Sequence, residues 1–280
     1  MLRDNPFDLV ILDFDGTLAD PSGRVHPATK QVFSELRQRG VRVVIATGRN
    51  WDSLKHRLPE LEIDDEAICL NGAAVYDISP VRLRSATTMP PELWRLCLKT
   101  ARESGHPWIV YTLDGVYAPE SSALADRLED FSRNKVPLTT SPETLLNPVK
   151  ILLEPGTSDA QTAAEITESL QGRGLYSTVT GFGFVEILQE GVHKGQAASR
   201  LAQELGVSRS RVLAIGDNGN DLELLSWAGE GVAMGNASPR VLSQIPLKTG
   251  RVEQAGALHY LIQRFGLSVA LPVLPQEFQS

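Results

Sequence analysis

The sequence predicts an α/β fold: a parallel-sheet core interrupted by an inserted α+β domain. Three observations lead there. The first third of the 280 residues alternates short apolar runs with amphipathic stretches, the rhythm of βαβ units. Two of the apolar runs, Leu9–Leu12 and Arg211–Ile215, are followed by acidic residues. Between them, over roughly residues 78–189, the rhythm changes to hairpin signals mixed with helices.

Leu9–Leu12 reads as a buried parallel strand, because such strands are continuous apolar runs. Asp13 and Asp15 follow, then Gly16 and Thr17. Ligands of open α/β sheets sit outside the carboxyl ends of the strands, and Gly16 permits a sharp turn there. Two close carboxylates repel unless a cation or a shared proton intervenes. They either bind a hard metal such as Mg²⁺ or divide nucleophile and acid/base roles. Taken alone, the segment equally describes a surface turn. His26–Gly40 reads as a helix, with Pro27 in its first turn, Val32, Phe33 and Leu36 as its apolar stripe and Gly40 as its stop. Val41–Ala46 is a second strand, ending in Thr47-Gly48-Arg49, and Ala67–Leu70 a third, ending in Asn71-Gly72.

In the middle, Trp108–Tyr111 and Val116–Ala118 flank Leu113-Asp114-Gly115, and Thr178–Thr180 and Phe184–Leu188 flank Gly181 and Gly183, two hairpin patterns. Val149–Leu153 is a further strand, and Pro91–Ser104, Ser122–Asn134 and Ala160–Gln171 are helices. Hairpins with helices predict antiparallel pairing. The expected division is therefore residues 1–77 and 190–280 as the core and 78–189 as the insertion. The end, from Leu267 on, carries Pro272 and Pro275 and reads as a loosely attached tail.

Hydrophobic content of 42% and charged content of 22% fit a globular protein. The net charge of −7 disfavours nucleic acid and anionic membranes as partners. Cys69 and Cys97 form neither a disulfide framework nor a zinc pattern, so a cytoplasmic setting is expected. MLRDNPFD does not resemble a secretory signal, and no apolar stretch approaches the ~20 residues of a membrane span. Nothing in the pattern specifies an oligomeric state.

In RVLAIGDNGNDLELL, Asp217 stands at a strand end and Asp221 four residues on. Helix capping is the alternative use for such residues. With Asp13 and Asp15, however, they make four acids at two strand ends, which favours a cation site. A cation there draws in phosphate. The Thr47 hydroxyl and backbone N–H groups about Gly48 are suitable donors, although a threonine in that place is also an ordinary strand end. Lys194, in HKGQAASRLAQELG, precedes a helix with Leu201 and Leu205 on one face. It is a point charge for a phosphoryl group or a solvated lysine. His193 reads as structural or exposed before it reads as a substrate contact. Phe182 and Phe184 are hairpin packing or a cleft wall, Arg49 and Trp51 lie beside the second strand end, and Cys69 reads as core.

In order along the chain, DFDGT, ATGR, HKG and GDNGND resemble the motif set of the haloacid dehalogenase-like hydrolase superfamily. NGAAVYD, FVEILQEGVHKGQA and GDNGNDLELLSWAGEGVAMGNAS resemble more particularly its Cof-type branch, which carries a large α/β cap after the second motif. The resemblance implies a Rossmann-like core and a mobile cap. It implies Asp13 as the nucleophile that forms an aspartyl-phosphate. Asp15 would be the acid that protonates the leaving group and later activates water, its backbone carbonyl also on Mg²⁺. Asp217 would be the remaining protein metal ligand and Asp221 its support. Thr47, Gly48 and Lys194 would hold phosphoryl oxygens, and Asn220 a phosphate or substrate contact. The implied activity is Mg²⁺-dependent hydrolysis of phosphomonoesters of a small metabolite, sugar phosphates foremost. A sugar phosphomutase and a phosphometabolite sensor without turnover are the alternatives. One stretch departs from the branch: in KTGRVEQAGA, Ala255 stands where an acid is common and no asparagine is present.

Overall fold

The computed structural model describes residues 5–132, 135–154, 160–170, 172–180 and 183–271. The chain begins with β1 (Leu9–Leu12), β2 (Arg42–Ala46), β3 (Glu66–Cys69), β4 (Ala74–Asp77) and β5 (Arg82–Ala86). It continues through β6 (Trp108–Thr112), β7 (Val116–Tyr117), β8 (Pro148–Leu153), β9 (Leu175–Val179) and β10 (Val185–Gln189). It closes with β11 (Val212–Gly216), β12 (Glu230–Ala233) and β13 (Leu247–Lys248).

The apolar runs build an eight-stranded sheet in the order β13-β12-β11-β1-β2-β3-β4-β5. Its strands from β13 to β3 pair in parallel, while β4 and β5 add antiparallel. β1 lies between β11 and β2, so three strands distant in sequence bring their carboxyl ends together. Every residue of β1 is buried, as a sheet covered by helices on both faces demands. The helix Thr29–Gln38 buries Val32, Phe33 and Leu36 against it. That helix starts three residues later than His26, whose Nδ1 instead accepts from the Ala28 N–H at 3.1 Å. The mixed α/β architecture, dominated by a parallel sheet, agrees with the expectation from the apolar rhythm.

A second sheet, in the order β7-β6-β8-β10-β9, is antiparallel throughout. Both hairpin patterns appear in it as paired strands, β6 with β7 and β9 with β10. One face carries Val110, Ile151, Leu153, Val185 and Ile187 into a small core with Trp94, Cys97, Leu98, Ile166 and Leu170. These last come from the helices Pro91–Glu103 and Ala160–Leu170. One segment differs from the sequence reading. Arg82–Ala86, placed in the insertion at 78–189, pairs with β4 on the edge of the large sheet. Its sequence, RLRSA, is largely exposed, so pairing rather than an apolar pattern defines it. Gly181, Phe182 and the tail residues Pro272 and Pro275 lie outside the described residues. Among the described residues, no helix is long and apolar enough to cross a membrane.

Candidate functional site

The carboxyl ends of β1 and β11 stand side by side, with Leu12 opposite Ile215. The Asp13 N–H donates to the Ile215 carbonyl at 3.0 Å, which places Asp13 one step beyond the last paired residues. Asp217 follows β11 in the same way. The loop then turns through a short 3-10 segment, Gly219–Asp221, before the helix Leu222–Trp227. Asp221 Oδ2 accepts from the backbone N–H groups of Asp217 and Asn218, at 3.0 Å each. Capping and acid-site geometry, alternatives in the sequence, are thus one arrangement: Asp221 closes the capping box with Asn218 and still faces the other acids.

Lys194 opens the helix Lys194–Glu204. Its ammonium is fully buried and donates to Asp13 Oδ1 at 2.5 Å and to Asp221 Oδ1 at 2.6 Å. Asp13, Asp217 and Asp221 each offer an oxygen within 4.8 Å of the others, and all three are buried. One ammonium thus bonds two of the three acids and leaves Asp217 without a cationic partner of its own. Burial pushes the Asp13 carboxyl up to about 7, the Asp221 charge adding to the shift and Lys194 opposing it. Burial, then the Asp13 and Asp221 charges, push Asp217 up as well. Burial alone would lower the Lys194 ammonium, but the two carboxylates outweigh it and raise it. Asp217 Oδ1 is buried with no hydrogen-bond partner among the described residues. An orphaned carboxylate oxygen in an acid-rich, all-oxygen cluster is a donor set that fits a hard divalent cation.

Space at this site is tight. Gly16 has φ +85°, and a Cβ there would run into Asp217 Oδ2. The turn after β1 needs a glycine for both reasons. Across the boundary between the sheets, a Cβ on Gly219 would lie 2.9 Å from the Val179 carbonyl of β9. The acid loop thus touches the insertion backbone to backbone.

The other expected site residues surround this group. Asp15 is not one of the three gathered acids; it pairs bidentately with Arg49, at 2.8 and 2.7 Å. Arg49 is also fixed by Ser53 Oγ at 3.0 Å. Thr47 is buried at the end of β2, with its Oγ1 accepting from the Arg49 N–H at 3.1 Å. Gly48 packs against Asn71, whose Oδ1 accepts from Asn220 Nδ2 at 3.0 Å. Asn220 Oδ1 is buried without a partner among the described residues. His193 is the N-cap of its helix, Nδ1 accepting from the Gln196 N–H at 3.2 Å, and burial lowers its pKa against an opposing Glu223. Trp51 stacks on Tyr76 at 4.6 Å. Phe184 packs, half-buried, against the main core. Cys69 is buried core, and burial raises its thiol pKa. Ala255 takes φ 53° at the start of the helix Gly256–Phe265.

Sequence reasoning passed over four residues. Asn236 donates to the Gly16 carbonyl and accepts from the Val252 N–H, both at 2.8 Å, tying the turn after β1 to the last loop. Asn71, Lys150 and Glu186 form a buried polar group with Gly48 and Asn220. The available signal was a lone charge inside each of two apolar strands, PVKILL and VEILQ, because unpaired charges are almost never buried.

Known proteins resemble this chain over most of its length. A model of the haloacid dehalogenase-like hydrolase family matches residues 10–261. A putative phosphatase of Bacillus subtilis is 27% identical over 261 residues, covering 90% of this chain and 96% of its own. An HMP-PP phosphatase of Serratia proteamaculans is 29% identical over 261 residues, covering 91% and 94%. Among solved structures, a phosphatase of the haloalkanoate (HAD) enzyme superfamily from Bacteroides thetaiotaomicron superposes with a TM-score of 0.79 at 25% identity, covering 94% of this chain and 97% of that one. A sugar phosphatase of HAD subclass IIB superposes at 0.80 with 20% identity, covering 92% and 99%, a likeness of fold. With the family model spanning β1 to the final helix, the chain belongs to the haloacid dehalogenase-like hydrolase family and is a hydrolase.

Proposed function

We propose that this hydrolase is a Mg²⁺-dependent phosphatase that cleaves phosphomonoesters of small metabolites, sugar phosphates foremost, through an aspartyl-phosphate. The observation that carries the reading is the buried group of Asp13, Asp217 and Asp221 around Lys194, at the ends of adjacent parallel strands. The relatives named as phosphatases support it, and the sugar phosphatase of like fold supports the substrate class.

In this reading Asp13, Asp217 and the Asp15 backbone carbonyl hold Mg²⁺, with Asp221 in support. When bound, the ion offsets the acid charge and polarises a phosphoryl oxygen. The Asp13 carboxylate attacks phosphorus and the ester P–O bond breaks, the leaving oxygen taking a proton from Asp15. Asp15 then takes a proton from water, whose oxygen attacks phosphorus. The Asp13–phosphoryl bond breaks, and inorganic phosphate and the Asp13 carboxylate are restored. Lys194, the Thr47 hydroxyl and the Gly48 N–H hold phosphoryl oxygens, so positioning and charge do most of the work. Asn220, with its unpartnered amide oxygen, meets the substrate. Arg49 holds both Asp15 oxygens, so in this reading Asp15 leaves that pair and carries a proton before it serves as the acid.

The insertion acts as a cap that closes over the substrate and selects it. The reading sets the protein in the cytoplasm, in keeping with its two buried free cysteines. The test is phosphate release from a panel of phosphorylated metabolites and an aryl phosphate, with Mg²⁺ and with chelator. Mg²⁺-dependent release is expected, with Ca²⁺ a poor replacement. Full activity in metal-free buffer overturns the metal assignment. A bisphosphate product without free phosphate indicates a mutase, and binding without turnover a sensor.

A further inference from the structure

The face of the smaller sheet turned toward the core carries a buried charge pair. On β8 and β10, Lys150 stands opposite Leu188, and Glu186 opposite Leu152. The two long side chains are diagonal neighbours on one face and meet. They are 1% and 3% exposed. Lys150 Nζ donates to Glu186 Oε1 and sits 4.6 Å above the Tyr111 ring. It also crosses to the core and donates to the Gly48 carbonyl at 2.9 Å. Glu186 Oε2 accepts from Asn71 Nδ2, and Asn71 Oδ1 accepts from Asn220 Nδ2. The bonds run without a break from the cap to the turn after β2 and on to the acid loop after β11.

Adhesion alone does not call for this chemistry. A buried ion pair loses hydration that its Coulomb attraction barely offsets, and a well-packed apolar pair holds surfaces together as well or better. What the charges add is direction. The ammonium selects one carbonyl, and the carboxylate selects one amide hydrogen.

We propose that Lys150 and Glu186 are positioning residues for phosphoryl transfer: by fixing the Gly48 peptide and, through Asn71, the Asn220 amide, they make cap closure and assembly of the phosphate-binding turn a single event. The proposal rests on the phosphatase reading. Neither residue touches the reacting atoms, and each acts through a group that does. Coupling of closure to site assembly is how binding energy of a substrate is turned into rate and selectivity.

The test uses the full chain as wild type, Lys150→Met and the double variant Lys150→Met/Glu186→Leu. Three quantities are read: the thermal midpoint, kcat and KM for an aryl phosphate at saturating Mg²⁺, and amide hydrogen exchange of residues 46–50 and 218–222. Lys150→Met leaves Glu186 buried and unpaired, so its thermal midpoint falls. The double variant removes both charges, so its midpoint returns toward wild type. In both variants kcat falls about tenfold or more, because a small misplacement of a binding group is costly. KM shifts by less than about threefold, and exchange in both segments rises about tenfold or more. If the double variant regains kcat and protection together with its midpoint, the pair is packing and the proposal falls. Should Lys150→Met fail to fold, the double variant alone decides. If wild type releases no phosphate from any substrate, the phosphatase reading fails by itself. The exchange comparison still decides the coupling: raised exchange in the double variant supports it, and unchanged exchange overturns it.

Discussion

Two buried charge clusters lie within reach of each other, one in the core and one where the cap meets it. In the core, three buried acids, Asp13, Asp217 and Asp221, stand about the one ammonium of Lys194, which bonds Asp13 and Asp221, and an oxygen of Asp217 has no partner among the described residues. At the boundary, Lys150 and Glu186 match one for one, and Gly48 and Asn71 take up their remaining bonds. Burial costs both clusters their hydration. The first is left with surplus negative charge, which calls for a cation. The second is balanced and complete, so what it contributes is a fixed geometry. The two should therefore respond differently to metal, to pH and to substitution.

The largest expected effect is at Asp13. Asp13→Asn keeps the side-chain volume but loses the anionic attacking oxygen, and turnover should drop by about 10⁴-fold or more, as for other essential nucleophiles. The metal-free thermal midpoint should rise at the same time, because one buried negative charge is gone. Near-wild-type rates in this variant would show that the surplus-charge cluster is not the reacting centre.

Next comes metal binding. At about 100 times its Kd, Mg²⁺ should add roughly 2.7 kcal/mol to the stability of the wild type. By calorimetry, Asp217→Ala should weaken Mg²⁺ binding more than Thr47→Ala does. The reverse order would mean that their roles are exchanged.

A smaller effect follows from the raised carboxyls. Asp13 sits at about 7 in the folded chain against an ordinary 3.8, so between about pH 4 and 7 the native state holds a proton that the unfolded chain has lost. The Asp13 contribution to metal-free stability then falls as pH rises through that window; Asp217 pushes the same way, and His193 and His26, lowered by burial, push the other way. Urea unfolding of wild type and Asp13→Asn at pH 5 and 7.5 without metal separates them: the variant should gain on wild type as pH rises, and an unchanged difference would contradict the assignment. The Mg²⁺-induced gain should correspondingly be larger at pH 7.5.

The smallest effect is at a contact outside both clusters. Tyr176 of the cap donates to Glu223 at 2.9 Å in a half-buried setting. Tyr176→Phe should cost about 1 kcal/mol of stability. A far larger loss would mean that this hydrogen bond is a main tie between cap and core.

The parts legible in the sequence were those written locally. An apolar run that ends in an acid announces a buried strand, and it put Asp13 and Asp217 at the two strand ends where they stand together. The change from βαβ rhythm to hairpins announced the second, antiparallel sheet. What escaped depends on register between distant segments. β5 has no apolar pattern, since it lies on an edge and is defined by its pairing with β4. The side chain of Asp15 is directed by Arg49, 34 residues away. Lys150 and Glu186, 36 residues apart, meet only because β8 and β10 align in one register. A charge inside an apolar strand shows that a partner exists, but only the register shows which one.

The close approach of Gly219 to the Val179 carbonyl bears on how the two halves of such a protein can be recombined. A cap grafted from a relative has to bring a strand whose backbone oxygen stands where that of Val179 does, whatever side chains it carries. Conversely, a core with any side chain at position 219 would hold this cap off its acid loop. Exchange of caps between relatives is therefore constrained at a point where the tightest contact is with backbone. Libraries that vary cap residues for new substrates can change the side chain of Val179 freely, provided that the strand keeps its backbone path there.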